Sequence, residues 1–197
     1  DRRVWWVACC LEKITALETG RPSMIQDSDI DQELPSPPPN GPHLLGALIS
    51  LARIQSEMSE RLFNRSLTGT RQSSKEILRI TGELDQSLIT WADELPEEIK
   101  PGRDVLCSPP HLYSFATFLA FQYHQALATL HRAALLLDKE IHRRHVDRYG
   151  AGLPSHYRLR SSESICVGSA RSMTKILLES AHEYGLTRLA TLTQPLL

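Results

Sequence analysis

Three groups of residues have the types and spacing from which chemistry could be built. Asp27-Ser28-Asp29-Ile30-Asp31 sets carboxylates at alternate positions, as a calcium loop does. Such a loop needs glycine at its sixth position and a bidentate glutamate at its twelfth; Gln32 and Pro38 stand there, which excludes calcium binding. His142 and His145 are three apart and His124 and His131 seven apart, so each pair shares one helix face. Neither pair has a third ligand at metal spacing and no H-E-x-x-H occurs, so no metal site is expected and His142 and His145 read as surface residues. His124, Gln125 and His131 admit two readings. One is a set of hydrogen-bonded core groups. The other is an effector pocket near Phe118, Gln122, Gln125 and His131, since pockets are apolar with a few convergent polar groups.

Covalent and phosphate chemistry find no support. There is no G-x-S-x-G, no G-x-x-x-x-G-K-[ST], and no G-x-G-x-x-G after a strand. Asp85, Asp93 and Glu94 lie on a helix where exposed charge is expected, not a paired acidic motif. Cys9 and Cys10 are adjacent and point to different helix faces. With Cys107 and Cys166 they match neither a disulfide framework nor a zinc knuckle, and they read as reduced, partly buried thiols. No catalytic residue and no cofactor is therefore expected in this chain, and it is not read as an enzyme.

The elements that must carry these residues are helical. In the 197-residue chain 41% of residues are apolar and 23% charged, a globular balance, and the net charge of −1 offers no field for nucleic acid or an anionic membrane. The basic stretch Lys139 to Arg160, with Arg143, Arg144, Arg148 and Arg158, reads as a solvated helix face and loop. Leu112 to Phe121 is far short of the ~20 apolar residues a membrane span requires, so a soluble protein without membrane contact is expected.

A first helix, Arg2 to about Leu17, places Val4, Val7, Leu11 and Ile14 in a buried stripe widened by Trp5 and Trp6. Gly20 suits a left-handed cap, and prolines from Pro22 to Pro42 keep the next segment extended, with a loop over 35–42. A second helix from His43 or Leu44 carries Leu44, Leu48, Leu51, Gln55, Met58 and Leu62 on one face, fading at Leu67-Thr68-Gly69. Ser73 and Glu76 form a capping box for a third, with Ile77, Ile80, Leu84, Leu88, Trp91 and Leu95 inward and Pro96 at its end. A fourth, from Pro110 to Leu137, is apolar nearly all round, which predicts a long central helix of about 40 Å that runs on or restarts into Asp138 to Val146. After a loop over 149–160, a last helix from Ser162 to Tyr184 carries Val167, Ala170, Met173, Leu177 and Ala181 inward, with Gly185 as cap. No strand pattern occurs. The predicted fold is all-α, an irregular multi-helix bundle around a long central apolar helix with an extended Pro-rich segment after the first.

Arg2-Arg3-Val4-Trp5-Trp6, then Gly20-Arg21-Pro22, Asp27, Asp29, Asp31 and Leu34-Pro35 resemble the core motif of the fungal zinc-cluster transcription factor middle homology region. Trp91 with Leu95-Pro96, and Tyr123 through Leu130-His131-Arg132, resemble its later helices. The family commonly has proline after His-Arg, where this chain has Ala133-Ala134, and its pattern begins several helices earlier, so the chain reads as part of one such domain lacking its first helices. Read physically, the motif is scaffolding: Arg3, Asp27, Asp29 and Asp31 could pin the extended segment to the first helix, and a Trp5 or Trp6 N–H could reach a carbonyl of that segment.

The resemblance implies an effector-responsive regulatory domain in the nucleus, controlling an attached DNA-binding domain that this chain does not contain and in which zinc would reside. It implies as partners that domain, a small-molecule inducer and transcriptional co-regulators, with a homodimer open and no direct nucleic-acid contact. The alternative is a non-catalytic assembly scaffold or dimerisation module of the same descent.

Overall fold

A computed structural model describes residues 2–39, 41–63, 73–102 and 108–184. Cys107, the pattern's fade at Leu67-Thr68-Gly69 and the expected Gly185 cap lie outside them. Among the described residues there are eight α-helices and no β-strand, so the fold is all-α as the periodicity predicts. They are α1 Arg2–Thr19, α2 Leu44–Met58, α3 Ser74–Glu94, α4 Tyr113–His131, α5 Ala133–Leu136, α6 Lys139–Tyr149, α7 His156–Arg160 and α8 Ser162–Tyr184. A π-helical turn, Ser59–Phe63, prolongs α2.

The main core lies where α1, α2, α3 and α4 meet, with Trp6, Leu48, Leu51, Leu84, Leu88 and Leu119 among its buried residues. Trp6 is fully buried while Val4, expected inward, is 46% exposed. The two residues stand about 160° apart around a helix, so burying the larger indole turns Val4 outward. Beyond Thr19, Gly20 takes φ +67, and Arg21 N–H and Gly20 N–H close on the carbonyls of Ala16 and Leu17. This is a Schellman cap.

Ser73 Oγ accepts from Glu76 N–H at the head of α3. Glu76 does not complete the expected box, because its carboxylate turns to Arg79 at 2.6 Å. Ile77, expected inward, is 37% exposed at this end of the helix.

The fourth helix differs from the single element of Pro110 to Leu137. It spans 19 residues, then α5, then an extended Leu137. Asp138 starts the next helix: its carboxylate accepts from Glu140 N–H and Ile141 N–H at the head of α6. Leu135, within the span expected to be one long apolar helix, is exposed. Residues 156–160, expected as loop, form α7.

α8 packs antiparallel on α4, as the order of its pairs shows: Ser162 with His131, Cys166 with Ala128, Ile176 with Tyr113 and Ala120. Its inward face is not the one expected. Ser162, Cys166, Ser169, Ile176 and Ser180 are buried, whereas Ala170 and Leu177 are exposed and Val167, Met173 and Ala181 half-buried. Small residues let two helix backbones approach, and here that closeness outweighs the apolar surface left outside.

Gly20→Ala is expected to destabilise the chain by about 1 kcal/mol, because only the backbone conformation is strained and no atom lies within 4 Å of the added methyl. Gly152→Ala, equally unobstructed and without positive φ, should change little. Urea unfolding of both decides; equal losses would mean the left-handed turn is immaterial.

Candidate functional site

Two buried polar clusters hold the bundle, and each draws its members from several elements. The first fastens the segment after α1 to the helices. Lys13 stands on the buried stripe of α1, between Cys10 and Leu17, and is only 2% exposed. Its ammonium reaches Ile25 O at 2.9 Å, Ser56 Oγ of α2 at 3.2 Å and Asp27 at 2.8 Å, which fills its three donors. One helical position earlier, Glu12 accepts from Ser23 Oγ at 2.7 Å and Met24 N–H at 2.8 Å. Farther on, Trp6 Nε1 donates to Glu33 O at 3.0 Å, and Arg2 pairs with the Glu33 carboxylate at 3.1 Å. Ser59 Oγ donates to Arg21 O at 3.3 Å.

These bonds redistribute the roles expected of the motif. The segment is pinned by Lys13 and Glu12: Asp27 binds Lys13, Asp29 takes a bond from Ser28, and Asp31 is exposed. Trp5 stands edge-on to Trp6 with ring centroids 5.0 Å apart, and Arg53 covers the Trp6 ring at 5.7 Å. Arg3, Pro22 and Leu34 are exposed, while Pro35 is buried. Arg21 turns its Nε to Thr19 Oγ1 at 3.2 Å.

The second cluster centres on Asp85 of α3, expected as exposed charge but only 1% exposed. Arg158 of α7 grips both its oxygens, with Nη2 to Oδ1 at 2.8 Å. His131 Nε2 donates to Oδ1 at 3.0 Å, and Ser162 Oγ lies 2.9 Å from His131 Nδ1 and 2.8 Å from Leu159 O. Burial pushes Asp85 up, but hydrogen bonds from Arg158 and His131 outweigh it and hold the carboxyl below the usual carboxylate range. Arg158, read from the sequence as a solvated basic residue, therefore balances a buried charge.

Serine, histidine and aspartate in line suggest nucleophilic catalysis, but the surroundings do not suit it. Asp85, His131 and Ser162 are all buried, and a guanidinium neutralises the carboxylate that would polarise the imidazole. The chemistry available is the joining of α3, α4, α7 and α8 through one charge.

The four residues expected to line an effector pocket are not brought together. Phe118, Gln122 and Gln125 share a face of α4, but His131 stands about 140° round the helix from Phe118. Gln122 accepts from Gln55 Nε2 of α2 at 3.4 Å, whereas His131 faces α3 and α8. Two cavities of about 570 Å³ each are formed by other residues. Trp91 Nε1 donates to Ala47 O at 3.1 Å and Ser50 Oγ at 3.0 Å, and its ring stacks on Tyr123 at 5.9 Å. His142 reaches Leu159 O at 3.3 Å and His145 lies edge-on to Tyr149. Arg132, beside His131, is exposed. Cys9, Cys10 and Cys166 are buried free thiols, and burial pushes Cys10 up to about 12. No group of three or more metal-ligating side chains occurs among the described residues, and no described helix is long and apolar enough to cross a membrane.

Residues 1–93 match the fungal specific transcription factor domain. Over 147 residues the chain is 33% identical to an ABC-transporter-regulating transcription factor of Aspergillus oryzae, covering 68% of this chain and 16% of that protein. A namesake in Aspergillus fumigatus matches to the same extent, 33% over 147 residues. A transcriptional regulatory protein of Schizosaccharomyces pombe, itself uncharacterized, is 27% identical over 192 residues, 90% of this chain and 24% of that protein. The chain thus spans a quarter or less of the length of these curated relatives. No solved structure matches it.

Asp85→Asn removes the charge that Arg158 and His131 share and is expected to destabilise the fold by about 3 kcal/mol at neutral pH. Because the folded carboxyl titrates below its unfolded value, this contribution is present above the unfolded pKa and is lost as pH falls through the folded one. The gap between wild type and Asp85→Asn in urea unfolding should therefore close as pH drops below about 4. A gap that persists unchanged at low pH would place the effect in packing instead.

Proposed function

Residues 1–93 belong to the fungal specific transcription factor domain family, and on that premise we propose that this chain is the regulatory domain of a transcriptional regulator. It sets when a DNA-binding domain elsewhere in the parent protein activates transcription. The observation that supports this most is the family match, joined to relatives named as a transcription factor and a transcriptional regulatory protein that align over 68% and 90% of the chain. Family and relatives are transcriptional regulators and not enzymes. On this reading the parent works in the nucleus, its zinc sits in the DNA-binding domain, and co-regulators and an inducer are its partners.

The geometry suits such a role. The motif residues act as scaffold through Trp6 and Asp27, which fix how the segment after α1 lies on the bundle. Charged clusters with several donors and one buried acceptor are either made or broken, so an inducer that favours one arrangement shifts a population between two states. A shift from mostly one state to mostly the other needs a differential affinity of about 5 kcal/mol.

The test is a reporter gene driven by the full-length parent. Deleting residues 1–197 is expected to raise uninduced transcription and remove the response to inducer, with promoter occupancy unchanged. Basal and induced levels that both survive the deletion would sink the regulatory reading.

A further inference from the structure

A cavity of about 570 Å³ opens where the start of α1, the proline segment and the start of α2 meet the residues that lead into α4. Its ionisable lining consists of Arg2, Arg3, His43 and His111, and its apolar lining includes Leu45 and Leu112, both buried. No carboxylate stands among the described residues that line it. The volume falls within the range of sites for small molecules, roughly 300–1,000 Å³.

Three further observations bear on what such a site takes. His43 is one of the lining residues, and its Nε2 is buried with no hydrogen-bond partner in the protein. His43 is also the N-cap of α2 and gives that 15-residue helix no side-chain cap, so the positive end of its dipole adds to the basic lining. The ring keeps this place because residue 46 is glycine: a Cβ there would stand 2.5 Å from His43 Nδ1. Pro35, Pro38 and Pro42 form the facing wall, where their locked φ limits collapse of the cavity.

We propose that this cavity binds a small organic monoanion with an apolar body, such as a medium-chain or aromatic carboxylate. The carboxylate sits among Arg2, Arg3 and the His43 imidazole, and the apolar body lies over Leu45 and Leu112. Arg2 is already engaged by Glu33, but that pair is 47% and 80% exposed and therefore weak, so a bound carboxylate can replace it. The replacement connects the ligand to the Glu33 carbonyl that Trp6 holds. The proposal deepens the regulatory reading above, since a ligand here would be the effector, but binding can be measured without any transcription.

The experiment is isothermal titration calorimetry of the 197-residue chain with octanoate, 1-octanol and acetate as probes. Octanoate should bind saturably at one per chain, and both neutral octanol and short acetate should bind at least tenfold more weakly. Arg2→Gln/Arg3→Gln alters exposed residues, so its thermal unfolding should match wild type while octanoate affinity falls roughly tenfold or more, as loss of charge-assisted bonds requires. Gly46→Ala, which displaces the His43 ring, should weaken octanoate as well. Equal affinity for octanol and octanoate, acetate bound as tightly as octanoate, an unaffected double variant, or no octanoate heat would each overturn the proposal. Failure of the regulatory reading looks different. Octanoate then binds as described, yet the parent carrying Arg2→Gln/Arg3→Gln drives the reporter as wild type does, and deletion of residues 1–197 has no effect.

Discussion

A carboxylate deprived of water inside a helical bundle must find compensation, and Asp85 finds the charge of Arg158 and a hydrogen bond from His131 on two different helices. Arg158 arrives on α7 and His131 on α4, while Ser162 at the head of α8 completes the ring's hydrogen bonding. Removal of one partner leaves an uncompensated charge, so the acceptor tolerates little rearrangement around it. The short helices between α4 and α8 can be read as the connection this demands. α6 and α7 place Val146 and Leu159 against Leu78 of α3, and Arg158 of α7 meets Asp85 of that same helix.

The opposite end of the bundle solves a different problem. A segment rich in proline forms no ladder of its own, and its backbone groups need partners from outside. α1 supplies them through side chains: Lys13 to Ile25 O, Trp6 to Glu33 O and Glu12 to Met24 N–H. The ammonium of Lys13 also touches Ser56 of α2, so the segment is keyed to two helices at once. Its hold on the bundle thus rests on few and polar contacts.

Much of the architecture was legible in the residues themselves. Helical periodicity placed α1, α3 and α8 within a residue or two of their described ends and α2 at its start, Gly20 marked its left-handed cap, and the Arg-Arg-Val-Trp-Trp and Gly-Arg-Pro motifs pointed to the family that residues 1–93 match. Periodicity chose the wrong face of α8, because it counts apolar area and cannot weigh how closely two backbones approach when the facing residues are serines and cysteine. It allowed a restart at Asp138, which caps α6, but gave no sign of the division at Arg132 between α4 and α5.

The candidate site was less legible, for a single physical reason. Lys13 interrupts an apolar stripe at spacings of three and four, and that interruption was the available sign that it is buried; Asp85 beside Leu84 gave a similar sign. Whether a charged side chain at such a position is buried or snorkels to water depends on an opposite charge waiting there. For Asp85 that charge is 73 residues away in sequence. By itself the sequence determined the helices, the family and the absence of motifs for catalysis. Only the tertiary structure decided which charges meet, because compensation of a buried charge is a property of two distant segments brought together and of neither one alone.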